Sequence, residues 1–409
     1  MVPLKKLKIS LMTVAFFILI TVPCFAVEQE TTITLARAKE LARNYARILS
    51  TTEITKEKLG VESEIAHNTY MSKNIKNDIN GYVHGIAQLY EELKGLDPGI
   101  DSQRIKEIQE QIATYEQRVS ILTQNMPPES FVRNYKKAWR TTDEAYQDMT
   151  RVINNMEKNL DLTVEKLYFA LLDLQSMIKL QNKTLLNLGK QLRIERLKIE
   201  LGLSTKESEQ SLISQYNLLY KTINDLKSNE TALIWQLNDL MGRELNAPLQ
   251  IQEENIIPVK TLYSDDAIYE KTVKSYLEIA KKERQIDNYV KDIAVEQDRD
   301  ERELLKQDQK IAQIQLVDLK VSLKEKIKAL GDQLESGYLA WETAVLEKEK
   351  VKTSHEYNEV RYKLGLISEL QRDFSETAYL EGLNKEKQAA RAWQIVSQQL
   401  ALAEEGILE

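Results

Sequence analysis

The sequence predicts an all-α fold: long antiparallel helical hairpins in two tandem repeats, forming an elongated coiled-coil bundle with no β-barrel. Three observations carry this expectation. Of 409 residues, 13 are Gly and 7 are Pro, together about 5% against roughly 12% in ordinary proteins. No proline lies between Glu129 and Ala247, or from Val259 to Glu409. Apolar residues also recur at helical spacing over dozens of positions. Collagen, Pro/Gly-rich disorder and hairpin-rich sandwiches all require the turn residues that are missing here. Charged residues make up 29% and the apolar class 42%, a balance suited to narrow buried stripes rather than one thick core.

The N-terminus reads MVPLKKLKISLMTVAFFILITVPCFA. Lys5, Lys6 and Lys8 precede an apolar run from Ile9 to Val22, and Cys24 and Ala26 place small residues at −3 and −1 of a cleavage point after Ala26. Residues 1–26 therefore read as a secretory signal peptide. The run is about 14 residues, short of the roughly 20 that a spanning helix needs. An uncleaved anchor and lipid attachment at Cys24 are the alternatives, although Pro23 directly before the cysteine fits lipid processing poorly. Cleavage would remove three lysines and the single cysteine, taking the net charge from −7 to −10. The exported chain would then hold together by packing, without disulfides. Both signs of charge are interspersed, so no basic footprint for nucleic acid is present.

Residues 27–247 form the first helical repeat. Its main stripe is Val164, Leu167, Leu171, Leu174 and Ile178, resuming at Leu185, Leu188 and Leu192. An extra helical hairpin is expected near 60–148, a region that holds the turn Gly95–Gly99 and the break Pro127-Pro128, with Ile105, Ile108, Ile112, Tyr115 and Val119 marking a helix between them. Residues 248–262, PLQIQEENIIP and its flank, read as a linker. The second repeat, 263–409, carries Leu316, Leu319, Leu323, Ile327, Leu330, Leu334, Tyr338, Trp341 and Val345. Their spacing averages close to 3.6 residues and specifies about 45 Å of helix. Residues 281–310 read as helical and charged throughout. Trp139, Trp235, Trp341 and Trp393 all read as core.

The repeats are visible in the residues themselves. KIELGL at Lys198–Leu203 and RYKLGL at Arg361–Leu366 are offset by 163, as are Tyr216 and Tyr379. Asn44–Ile48 and Ser275–Ile279 match at an offset of 231. The difference leaves about 68 surplus residues in the first half, the expected extra hairpin. Gly202 and Gly365 interrupt long helical patterns. A glycine inside a helix costs about 1 kcal/mol, whereas at a left-handed helix end it reverses the chain without that cost. Each is predicted to be a hairpin tip, with Ser204 and Ser368 capping the following helix.

A helix, an RYxxG-like end, a turn and a returning helix, duplicated in one exported chain, resemble the TolC-like outer-membrane efflux family. The resemblance rests on VRYKLGLISEL at Val360–Leu370 and IELGLSTKE at Ile199–Glu207, with ITLARAKELARNYARIL at Ile33–Leu49 and ALIWQLNDLMG at Ala232–Gly242. It covers nearly the whole mature chain through short motifs kept in order. It implies a homotrimer closing a twelve-helix tunnel, served by an extracytoplasmic adaptor protein and an inner-membrane pump. By motif position, adaptor docking would fall on Gly202, Leu203, Ser204, Gly365, Leu366, Ser368, Glu369 and Leu370. Glu369-Leu370 fits the family's acidic and apolar positions, whereas Lys206 takes the matching place in the first repeat. The family's barrel strands, about 9–11 alternating residues each, have no counterpart in 60–148 or 281–310.

Catalytic constellations are missing. His67, His84 and His355 are far apart, and GxSxG, P-loop and GxGxxG patterns do not occur. No cofactor, metal or enzymatic activity is expected. The expected function is an exported helical tunnel or docking component of an efflux or secretion system, acting as a passive conduit in the cell envelope, associated with the outer membrane by resemblance. The alternative is a non-transport coiled-coil scaffold or adaptor of the envelope.

Overall fold

The computed structural model describes residues 32–260 and 263–408; the leader predicted for residues 1–26 lies outside them. The all-helical expectation is borne out almost completely. The chain begins with a two-residue strand, β1 (Thr32–Ile33), followed by α1 (Leu35–Tyr45) and α2 (Arg47–Lys73). Thr34 caps α1 by accepting from the Arg37 N–H. The hairpin of α3 (Lys76–Lys94) and α4 (Ser102–Gln124) comes next, then α5 (Glu129–Glu200) and α6 (Lys206–Leu240). A short strand, β2 (Gln250–Ile251), precedes α7 (Asp265–Ser275), α8 (Leu277–Val295), α9 (Arg299–Lys363) and α10 (Glu369–Glu404).

Apart from α3 and α4, which have no counterpart in the second half, the elements recur in the same order, with α2 (27 residues) answered by a shorter α8 (19). α1 and α7 each have 11 residues, and each ends at one residue of extended backbone, Ala46 (ψ 117°) and Tyr276 (ψ 116°). These breaks lie one residue closer together than the 231 offset of the aromatic match, because the conformation falls at Ala46 rather than at Tyr45. α5 has 72 residues and α9 has 65, spans of about 108 and 98 Å. Their partners α6 and α10 have 35 and 36. α2 and α6 pack along α5, α8 and α10 pack along α9, and α10 also lies antiparallel to α5, joining the halves. The α3–α4 hairpin packs chiefly on itself, through Ile108 and Ile112 of the predicted face.

Two buried clusters follow from the predicted stripes. One gathers Ala38, Leu41 and Ala42 of α1 around Val164, Tyr168 and Leu171 of α5 and Leu237 of α6. The other sets Ile268 and Ile279 against Leu323, Ile327 and Leu334 of α9, closed by Trp393 and Leu400 of α10. Trp393 is core as expected. Trp235 is not: it is 46% exposed on the outer side of α6, whose buried side carries Leu212, Ile223 and Leu237.

Two further expectations change. Part of the 248–262 stretch is structured, because β2 pairs in parallel with β1, Thr32 opposite Gln250 and Ile33 opposite Ile251. The fully buried Tyr168 seals this pair. Its hydroxyl lies 2.9 Å from Ile33 O and 2.7 Å from Gln252 O, and accepts from the Gln252 N–H at 2.9 Å. Arg391, also buried, ties the same stretch down through Glu253 (2.9 Å) while pairing with Asp173.

The charged stretch 281–310 is not one helix, since the chain reverses at residues 296–298 between α8 and α9. No Gly or Pro is involved. The buried Glu296 carboxylate accepts from the N–H groups of Gln297 (2.9 Å) and Asp298 (3.1 Å), and Asp298 accepts from those of Asp300 and Glu301 (both 2.9 Å). These backbone hydrogen bonds, led by that of Asp298 and reinforced by Arg133, hold the Glu296 carboxyl below the usual carboxylate range. Among the described residues, β1 and β2 form the only sheet, and no helix is long and apolar enough to cross a membrane.

Candidate functional site

The two glycines singled out in the sequence stand at the ends of the longest helices. Gly202 has φ +72° and Gly365 has φ +70°, the left-handed region that favours glycine. In each turn the glycine N–H and the next N–H reach back to the helix. Gly202 donates to Ile199 O (2.9 Å) and Leu203 to Lys198 O (2.7 Å). Gly365 donates to Tyr362 O (2.9 Å) and Leu366 to Arg361 O (2.8 Å). This is the paired Schellman ending, which satisfies carbonyls that a helix terminus otherwise leaves bare.

The returning helices are capped differently from expectation in one of the two tips. Ser368 caps α10 in a reciprocal box, accepting from the Gln371 N–H (3.3 Å) while its own N–H donates to Gln371 Oε1 (2.9 Å). In the first tip the cap of α6 is Thr205, not Ser204. Thr205 is the residue that the 163 offset pairs with Ser368, and Ser204 is one position early. The Ser204 hydroxyl instead donates to Glu195, which lowers the Glu195 carboxyl from its ordinary value.

Each tip presents leucines to solvent. Leu203 is 73% exposed and Leu366 is 64% exposed. Leu201 and Leu364, on the other side of each glycine, are equally bare at 73% and 68%; the repeated LGL triplet already contained that signal. Glu369 pairs with Lys190 of α5 at 2.5 Å, and Leu370 is half-buried.

Between the tips runs a charged seam absent from the sequence expectation. Asp373 of α10 is 1% exposed and is held by Lys190 (2.5 Å) and Arg372 (2.6 Å). Desolvation raises its carboxyl, but the hydrogen bonds from Lys190 and Arg372 outweigh that and keep it below the usual range. Asn187 of α5 donates to Asp373 O (3.2 Å) and Thr377 Oγ1 (2.8 Å). Further along, Lys183 meets Glu376 at 2.7 Å, and Asn384 donates to Ser176 O at 3.2 Å. This antiparallel register sets Gly365 opposite the region of Arg196, so Gly202 reaches past it by about six residues, ~9 Å of helix.

The histidines are placed as packing and surface residues. His67 lies 4.6 Å from the Trp139 ring, His84 meets Gln88, and His355 stacks on Tyr379 while bonded to Ser375 at 3.0 Å. Among the described residues no group of three or more His, Cys, Asp or Glu is placed to hold a metal ion.

Long helices in repeated hairpins, Schellman tips and inter-repeat helix contacts define a recognisable class: the chain has the fold of the TolC-like outer-membrane channels over most of its length. It is similar to the open-state Neisseria gonorrhoeae MtrE outer membrane channel, with 12% identity, a TM-score of 0.51 and coverage of 91% of this chain and 89% of that one. A membrane protein from Pseudomonas aeruginosa matches with 10% identity and a TM-score of 0.52, over 91% of this chain and 90% of that one. The Campylobacter jejuni CmeC outer membrane channel matches with 12% identity and a TM-score of 0.51, over 67% of this chain and 68% of that one. No protein-family model matches the sequence, and no curated protein does.

Proposed function

We propose that this chain is a helical conduit or docking component of an efflux or secretion system, exported to the cell envelope. It assembles as a homotrimer whose tips meet an extracytoplasmic adaptor coupled to an inner-membrane pump. The observation that carries the reading is the likeness over 91% of the chain to an outer membrane channel. The tips supply its local support. Solvent-facing leucines on rigid, hydrogen-bonded turns are suited to a partner hairpin, because an exposed apolar cluster gains most when covered. Gly202, Leu203, Ser204, Gly365, Leu366, Ser368, Glu369 and Leu370 are the docking positions in this reading, joined by Leu201 and Leu364.

Exposed apolar side chains along the shafts supply faces for neighbouring protomers: Ile311, Ile314, Val317 and Val321 on α9, and Leu218 on α6. Light scattering and negative-stain imaging of residues 27–409 test the assembly. A trimer with a central ring is expected, and a strict monomer at high concentration would overturn the conduit. The reversal at residues 296–298 favours a second reading, a non-transport envelope scaffold, because that connection contains no strand. Elongated particles without a lumen would decide for it.

A further inference from the structure

The end of α5 remote from its tip carries a feature that neither the tips nor the tunnel uses. A cleft of about 610 Å³ opens there between the end of α2, the start of α3, the first turns of α5 and the end of α8. Its lining holds seven cationic side chains and three carboxylates, in a chain whose net charge is −7. The three carboxylates are already engaged. Glu296 pairs with Arg133 (3.2 Å), Asp292 with Arg140 (2.8 Å) and Lys137 (3.8 Å), and Glu129 with Lys76 (3.2 Å). The remaining cations, Lys73, Lys136 and Lys291, are exposed and meet no carboxylate among the described residues. The cleft is thus a concentrated positive charge fixed by its own ion pairs. At physiological salt, charges act over about 8 Å, so the acidic excess spread along the shafts does not cancel it.

The same cleft is lined by apolar groups. Ile75, Pro127 and Val132 share its wall, and Met126 and Val295 are exposed at 44% and 56%. Met71 and Phe131, close in sequence to lining residues, are exposed as well. A purely hydrophilic anion would use the lysines and leave these side chains in water. A ligand with a phosphate and an adjoining apolar chain uses both. We propose that this cleft seats the phosphate-bearing headgroup of an anionic lipid, holding the end of the bundle opposite the tips against a membrane surface. The proposal does not depend on the conduit, since a scaffold would be anchored in the same way.

Flotation of residues 27–409 with vesicles tests it. The probes are phosphatidylcholine alone and phosphatidylcholine mixed with phosphatidylglycerol. Binding is expected only to the mixed vesicles. A Lys73→Glu, Lys136→Glu, Lys291→Glu variant should lose about 100-fold or more in partitioning, since each basic residue near an anionic surface contributes about fivefold. A control with Lys227→Glu, Lys310→Glu and Lys350→Glu, exposed lysines elsewhere, should bind like the parent; circular dichroism checks that both variants remain helical. Equal loss in both variants would overturn the cleft in favour of diffuse charge. Absence of binding to the mixed vesicles would overturn the lipid. Calorimetric binding of inorganic phosphate, lost in the cleft variant, without vesicle binding would reassign the cleft to a soluble phosphate.

Discussion

Replacing Gly365 or Gly202 by alanine isolates the energetics of a hairpin tip. A Cβ built at either position meets nothing within 4 Å, so no neighbour opposes it. The whole cost is then backbone: φ of +70° or +72° places an L-residue where it loses about 1–2 kcal/mol. Asparagine, which tolerates this region, should lose distinctly less. In a long bundle such a cost is felt locally, as opening of the turn rather than global unfolding. Hydrogen exchange of the tip peptides is the suitable assay. The Leu203 and Leu366 amides, bonded to Lys198 O and Arg361 O, should exchange about 5- to 30-fold faster in the alanine variants. Gly81 supplies the matched control. It too has open space for a Cβ, but it lies in α3 without positive φ, so Gly81→Ala should stabilise by about 0.5–1 kcal/mol. Unchanged exchange at the tips, or asparagine as costly as alanine, would refute the reasoning.

Three other perturbations follow from the contacts. Asp373→Ala should destabilise the α5–α10 seam by about 1.5–3 kcal/mol, read as faster exchange along α10, because charge-assisted hydrogen bonds to Lys190 and Arg372 are lost. Asp373 and Glu296 both have lowered folded pKa values. Their stabilisation is therefore present above the unfolded carboxylate range of about 4 and is lost as pH falls through their folded values; acid titration followed by circular dichroism measures it. Tyr168→Phe should cost about 1–3 kcal/mol in thermal or urea unfolding, since it strips the hydroxyl from the β1–β2 pair. The Tyr168 phenol is pushed up to about 12, mainly by burial, so parent stability should decline as pH rises from about 10 toward 12. In the phenylalanine variant that decline should be smaller. Glu296→Gln should loosen the α8–α9 reversal, making residues 296–302 the first site of limited proteolysis.

Most of the fold was legible because its helices bury continuous stripes, and only a helix keeps a period of 3.6 on one face over dozens of residues. The tips were legible for a different reason. Left-handed helix ends strongly favour glycine, so Gly202 and Gly365 marked them chemically. The two helix breaks and the one reversal that no sequence signal marks use no such residue. Ala46 and Tyr276 interrupt helices by backbone conformation alone, and the turn at residues 296–298 is built by carboxylates capping amide groups. Within a run of charged residues, such carboxylates look like any solvated helix face. The cap at Thr205 rather than Ser204 shows the limit of local chemistry, since two adjacent hydroxyls qualify equally by side chain and only the 163 offset of the repeat separates them. The basic cleft was only partly legible: Arg133, Lys136, Lys137 and Arg140 stand together at the start of α5, but Lys73, Lys76 and Lys291 come one each from α2, α3 and α8, and only the packed bundle adds them together.

The two connections remote from the tips differ greatly in reach. One is the α3–α4 hairpin, whose helices have 19 and 23 residues, and the other is the reversal at 296–298. The hairpin packs chiefly on itself, so the first repeat carries a self-contained post at that end, whereas the second repeat turns back at once and has none. The basic cleft lies at the foot of that post, so a hairpin shortened from its Gly95–Gly99 turn keeps every cation of the cleft.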